Sequence, residues 1–96
     1  MGANTFETAA RGQTAPAAFE AAREQAFSDH GHAGYTGTLA EKHDFTVIPV
    51  PEGQDPREFA RSLIDADDVR VSDKWGPAGC IKLSPEDWLF FGWASS

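Results

Sequence analysis

Two histidines and one cysteine are the side chains best suited to metal chemistry. His30 and His32 form a His-x-His pair, and His43, Asp44 or Cys80 are the groups that would complete a site. Zinc needs three or four such ligands, and the chain lacks the ligand spacing that is typical of a zinc site. A structural role accounts for His30 more simply, because a cation in the last turn of a helix interacts favourably with the helix dipole. The sequence therefore predicts no metal and no cofactor.

Cys80 is also a candidate nucleophile if a histidine lies beside it. No third group that would orient the histidine is evident, and Ile81 indicates a strand, so a small buried thiol is the favoured role. Glycine recurs at Gly31, Gly34 and Gly37, but a predicted helix precedes these glycines and a predicted strand follows them. A dinucleotide-binding fingerprint has the opposite order, so nucleotide binding is disfavoured.

The segment 72–79 (SDKWGPAG) is the best candidate for a binding surface. Gly76, Pro77 and Gly79 predict a loop, and Trp75 lies inside it with Asp73 and Lys74 as polar neighbours. Turns prefer small polar residues, so a large aromatic here has another role. Trp75 either packs inward onto a sheet or anchors a partner, as tryptophan does at interface hot spots.

Composition narrows the function class. The chain has 96 residues, a formal net charge of −7 and a single cysteine, which predicts one small domain without an intramolecular disulfide. Negative charge without a Lys/Arg cluster disfavours direct nucleic-acid binding. No apolar stretch approaches the ~20 residues of a membrane span, and the first residues lack the pattern of a signal peptide. We therefore expect a soluble, cytoplasmic protein that binds no membrane.

The elements that must position these residues follow from hydrophobic periodicity and turn residues. A helix is predicted over residues 14–29, capped by Thr14, and a second helix from residue 55, capped by Asp55 with Pro56 in its first turn. Their buried stripes are Phe19, Ala22 and Ala26, and Phe59, Leu63 and Ile64. Strands are predicted over residues 4–11, 35–42, 45–50, 69–71, 80–83 and 88–94. A tight turn near residues 43–44 joins strands 35–42 and 45–50 into a hairpin, and the prolines at 49 and 51 either end the latter strand or place it at a sheet edge.

The pattern predicts an α+β fold with the order β-α-β-β-α-β-β. The most economical arrangement is a single antiparallel sheet with both helices packed on one face, in a ferredoxin-like or split βαβ manner. In the last strand, Trp88 and Phe90 share one face while Leu89, Phe91 and Trp93 share the other. Apolar residues on both faces indicate a central strand or a covered outer face.

Four stretches carry a family resemblance: GANTF near the start, GHAGYTGTLAEK at 31–42, DKWGPAG at 73–79 and LFFGWASS at 89–96. Together they resemble a group of small uncharacterised proteins from actinobacteria and their phages. The resemblance implies a bacterial or phage origin and an intracellular setting. It assigns no activity and no catalytic residues.

Two functions remain open from the sequence. The first is a non-catalytic binding module, of the class of phage or host accessory proteins, that docks on a protein partner through a flat face carrying Trp75 or Trp93. The second is a small enzyme or ligand-binding protein, with its site between the segment 30–35 and the segment 73–79. The binding residues that these hypotheses name are Tyr35, Asp73, Lys74, Trp75, His30 and His32. Neither the partner nor the oligomeric state follows from the sequence.

Overall fold

A computed structural model describes residues 2–30 and 37–96 as a four-stranded sheet with two α-helices and one short 3-10 helix. The strands are β1 (Ala3–Arg11), β2 (Phe45–Val47), β3 (Ala78–Ser84) and β4 (Asp87–Ser95), and the helices are α1 (Ala15–His30) and α2 (Pro56–Asp65). The α+β class is confirmed, and the described elements follow the predicted order, with a 3-10 helix at the place of the second predicted strand.

Strand β4 is the centre of the sheet, whose strand order is β1-β4-β3-β2. It pairs antiparallel with β1 on one side and with β3 on the other. The predicted alternation along β4 is confirmed, because Trp88 and Phe90 belong to one buried cluster while Leu89 and Phe91 belong to another. Both clusters are necessary, since a strand that is apolar on both faces must be covered on both.

The two helices therefore lie on opposite faces of the sheet. Helix α1 contributes Ala18 and Phe19 to the cluster that contains Phe90, whereas α2 contributes Leu63 and Ile64 to the cluster that contains Phe91. The prediction of both helices on one face was wrong. Five of the six predicted stripe residues are buried, and Phe59 is only half-buried.

The caps of both helices follow the predicted local chemistry. The Thr14 hydroxyl accepts from the backbone N–H of Ala17, and the Asp55 carboxylate accepts from the backbone N–H of Arg57. These contacts satisfy N–H groups that have no partner inside the first helical turn. Neither described helix combines the length and the apolar character needed to cross a membrane.

The predicted antiparallel hairpin of residues 35–42 and 45–50 is wrong over the part that the structure describes. Residues 35 and 36 lie outside the described residues, and Leu39–Glu41 form a 3-10 helix capped by the Thr38 hydroxyl. Strand β2 is parallel to β3, and α2 is the crossover between them, so the sheet is mixed. Strand β2 lies at an edge of the sheet, which is one of the two outcomes that Pro49 and Pro51 indicate.

The predicted strand at residues 69–71 is a turn. The Asp68 carboxylate accepts from the backbone N–H and the guanidinium of Arg70, and these hydrogen bonds lower the pKa of Asp68 to about 2. Val69 is 88% exposed, while Val71 is buried and its carbonyl oxygen accepts from the backbone N–H of Trp93 at 3.2 Å. The hydrogen bonds of the Asp68 carboxylate thus hold this segment in a turn and not in a strand of the sheet.

Val71 also explains Gly79 at the start of β3. A Cβ atom added at Gly79 would lie 2.7 Å from Val71 Cγ1 and 2.7 Å from Phe91 Cζ, well inside van der Waals contact. Only glycine allows Val71 and Phe91 to approach the backbone of β3 here. The second glycine of the segment 73–79 is therefore a packing residue as well as a boundary of the loop.

Candidate functional site

A buried lysine lies beneath the loop that the sequence identifies as a binding surface. Lys42 follows the 3-10 helix and is 1% exposed. Its ammonium donates to the carbonyl oxygens of Asp73, Lys74 and Gly76 at 3.1, 3.3 and 2.9 Å. An ammonium group has three protons to donate, so these acceptors account for its full donor capacity. One side chain thereby fixes three peptide groups of the loop at residues 72–77.

Two opposing effects act on this ammonium. Burial lowers the pKa of Lys42 because it penalises the charged form, and the negative charge of Asp73 acts in the opposite direction. A buried charge is tolerated when it is hydrogen-bonded and paired. The three carbonyl dipoles supply those hydrogen bonds, so the lysine serves as an internal cross-link of the fold.

Backbone turns within the loop complete its shape. The carboxylate of Asp73 accepts from the backbone N–H of Trp75 at 2.9 Å, and the carbonyl oxygen of Asp73 accepts from the N–H of Gly76 at 2.9 Å. Lys74 Nζ donates to the Gly2 carbonyl oxygen at 3.3 Å, which ties the loop to the residue preceding β1. The loop is held at Asp73, at Lys74 and at Gly76.

Trp75 is the residue that this framework presents at the surface. The residue is 63% exposed, although its neighbours on both sides are fixed. The Lys74 ammonium lies 5.4 Å from the centre of the indole ring, within the range of a cation–π contact. The structure thus places an exposed indole beside a cation on a loop whose backbone is fixed.

The structure brings together three of the six residues named from the sequence. Asp73, Lys74 and Trp75 form one surface, where Asp73 is exposed and Lys74 is half-buried. His32 and Tyr35 lie outside the described residues, as does the side chain of His30. The alternative site between the segments 30–35 and 73–79 thus stays a prediction.

Cys80 has the environment predicted for a structural thiol. It is fully buried in β3, and burial raises its pKa to about 11. The thiolate is the nucleophilic form of cysteine, so a thiol with this pKa stays protonated at neutral pH. Among the described residues, no group of three or more His, Cys, Asp or Glu side chains is placed to hold a metal ion.

Lys42 is the residue of this site that sequence reasoning missed. In the sequence it stands at the end of a predicted strand, where a lysine is typically a solvated surface residue. Its acceptors are backbone carbonyls that lie 31 to 34 positions further along the chain. Backbone acceptors have no sequence signature, so no pattern in the chain identifies this contact.

Comparison with known proteins identifies no protein similar to this chain. No family model, curated protein or solved structure matches the chain.

Proposed function

We propose that the chain is a non-catalytic binding module that docks on a protein partner through the loop at residues 72–77, with Trp75 as its anchor. The observation that carries this proposal is the exposed indole on a loop whose backbone is fixed by a buried ammonium. Tryptophan is enriched among residues that dominate binding energy at protein interfaces.

The fixed geometry of the loop supports a role for Trp75 in contacting a partner protein, not in packing against the core. Ordering a flexible loop upon binding costs free energy, and a loop already held in one geometry avoids most of that cost. Lys42, Asp73 and Lys74 hold the loop before any partner arrives. If Trp75 served only the core, the loop would turn its indole inward, whereas the residue is 63% exposed.

Charge favours a basic partner. The chain carries a net charge of −7, and a field of this sign steers positively charged surfaces toward it while repelling nucleic acid. Because the chain resembles proteins of actinobacteria and their phages, we propose that it acts as an accessory protein inside the cell. We propose neither a metal nor a cofactor for this function.

The test is affinity capture from a lysate of the organism that encodes the chain, followed by mass spectrometry. Three baits are compared: the natural chain, Trp75→Ala, and Val69→Ala as a matched control. Val69 is also a large apolar residue at the surface, 88% exposed, and lies outside the loop. We expect one protein to be captured by the natural chain and by Val69→Ala and to be lost with Trp75→Ala. Equal recovery with all three baits would contradict the proposal.

A further inference from the structure

The outer edge of β1 is an edge of the sheet along which, in the described part of the chain, no further strand pairs. Gly2 and Ser96 exchange hydrogen bonds in both directions, and the N–H of Gly12 donates to the carbonyl oxygen of Glu86. Because bonded and non-bonded pairs alternate in an antiparallel ladder, the even-numbered residues of β1 bond to β4. The odd-numbered residues therefore direct their N–H and C=O groups away from the sheet; they are Ala3, Thr5, Glu7, Ala9 and Arg11.

This edge differs from the opposite edge of the sheet. Strand β2 has three residues and is followed closely by Pro49 and Pro51, a common way to block further strand pairing. Strand β1 has nine residues and contains no proline. Within the described part of the chain, β1 pairs with β4 alone.

A groove flanks β1 on each face of the sheet. On the α2 side, a groove of about 370 Å³ is lined by Thr5, Glu7, Arg61 and Asp65. On the α1 side, a groove of about 270 Å³ is lined by Thr5, Thr8, Gln25 and Asp29. Consecutive side chains of an added strand point to opposite faces, so they would enter these two grooves in alternation.

Among the described residues that line the two grooves, one unpaired carboxylate lies on each side. Arg61 Nε donates to the Glu7 carboxylate at 3.1 Å, and this pair is neutral, so the net charge on the α2 side is that of Asp65. On the α1 side, Asp29 accepts from the amide of Gln25 at 3.0 Å, and this uncharged donor supplies no positive charge to pair with it. The two carboxylates lie on opposite faces of the same edge.

We infer that β1 binds an extended segment of a partner protein that carries two adjacent basic residues. Main-chain hydrogen bonds to the odd-numbered residues would supply the affinity. In an extended strand, adjacent basic side chains point one to each face, so one cation reaches Asp65 and the other reaches Asp29. A second copy of this chain fits less well, because two chains of charge −7 repel each other.

The experiment uses synthetic peptides and the full chain. The probe is acetyl-Thr-Val-Lys-Arg-Val-Thr-amide, titrated by calorimetry and by amide NMR shifts. One control peptide replaces Lys-Arg with Glu-Glu, and a second, acetyl-Thr-Lys-Val-Arg-Val-Thr-amide, places both cations on one face. Two further probes carry N-methyl groups on alternate residues, one probe on the odd-numbered and the other on the even-numbered residues. Alternate N–H groups of a strand point to the same side, so only one of the two probes can still donate hydrogen bonds to β1.

We expect saturable binding of the first probe, with amide shifts at Thr5, Glu7 and Ala9. Binding should be weaker for both charge controls and should survive in one N-methylated probe only. Asp65→Asn and Asp29→Asn should each weaken binding by about threefold, as for an exposed ion pair, with Glu58→Gln as the control. Trp75→Ala should leave this binding unchanged, which separates the inference from the function proposed above.

Three results would overturn the inference: absence of saturable binding, equal binding of every probe, or shifts confined to the Trp75 loop. A dimer of the free protein in native mass spectrometry that Thr5→Pro dissociates would show that a second copy occupies the edge instead. Proline is suitable there because the N–H of Thr5 points away from β4, so the substitution breaks no bond of the sheet.

Discussion

The Lys42 ammonium lies 2.9 Å from the carbonyl oxygen of Gly76, 34 positions further along the chain. This contact joins the segment after the 3-10 helix to the end of the loop that carries Trp75. It converts an irregular stretch of backbone into a fixed platform without a disulfide or a metal. Trp75 lies between two of the carbonyl groups that Lys42 holds, those of Lys74 and Gly76.

Lys42→Met should loosen the loop. The substitution keeps roughly the length of the side chain but removes the ammonium that donates to three carbonyl oxygens. Each of these oxygens costs about 1–3 kcal/mol if it stays buried without a hydrogen-bond partner. Because the loop can open to water, we expect a loss in the free energy of unfolding near the lower end of that range. Faster hydrogen exchange at the Gly76 amide, which donates to Asp73, should accompany it.

The control for this substitution is Lys82→Met. Lys82 is an exposed lysine of β3, so the change in charge is the same while the loop is untouched. If exchange at Gly76 is equal in Lys42→Met and in the natural chain, the cross-link does not hold the loop.

The pKa of Cys80 predicts a loss of stability at alkaline pH. The folded pKa is about 11 against an ordinary value of 9.0, so the unfolded chain releases the thiol proton first. The folded state binds more protons between pH 9 and pH 11, and the free energy of unfolding therefore falls as the pH rises through that window. Urea unfolding at several pH values should show a shallower fall in Cys80→Ala.

The same burial predicts slow chemistry at Cys80. A thiol-specific reagent at pH 8 should label the folded protein far more slowly than the protein in urea. Labelling at equal rates under the two conditions would show that Cys80 is accessible, and would reopen a nucleophilic role for it.

Two phenylalanines of the core should differ in their contribution to stability. Phe90 is fully buried, and its ring centre lies 5.3 Å from that of Phe19, so Phe90→Ala should cost about 3–5 kcal/mol. Phe59 is half-buried, and Phe59→Ala should cost about 1–2 kcal/mol. Urea unfolding measures both values, and equal losses would contradict the placement of Phe59 at the rim.

The features that the sequence predicts well are encoded locally. Asp55 and Pro56 define the start of α2, and the alternation of Trp88 to Trp93 identifies the central strand. Each of these signals is contained within one element, so neighbouring residues are enough to reveal it.

The features that the sequence missed depend on distant contacts. The parallel pairing of β2 follows from the crossover helix α2 and leaves no mark within Phe45–Val47. The partners of Lys42 are backbone atoms, and the turn at Asp68 competes with the strand propensity of Val69 and Val71. The helices lie on opposite faces because β4 is apolar on both sides. The sequence shows that pattern, which is incompatible with a single helical layer.

Trp75→Ala tests the central claim most directly, through the free energy of unfolding in urea. Because Trp75 is 63% exposed and three hydrogen bonds from Lys42 hold the loop, we expect the substitution to change stability by less than ~1 kcal/mol. A loss of several kcal/mol, as for a core aromatic, would show that Trp75 holds the loop in place and would contradict its role as a binding anchor.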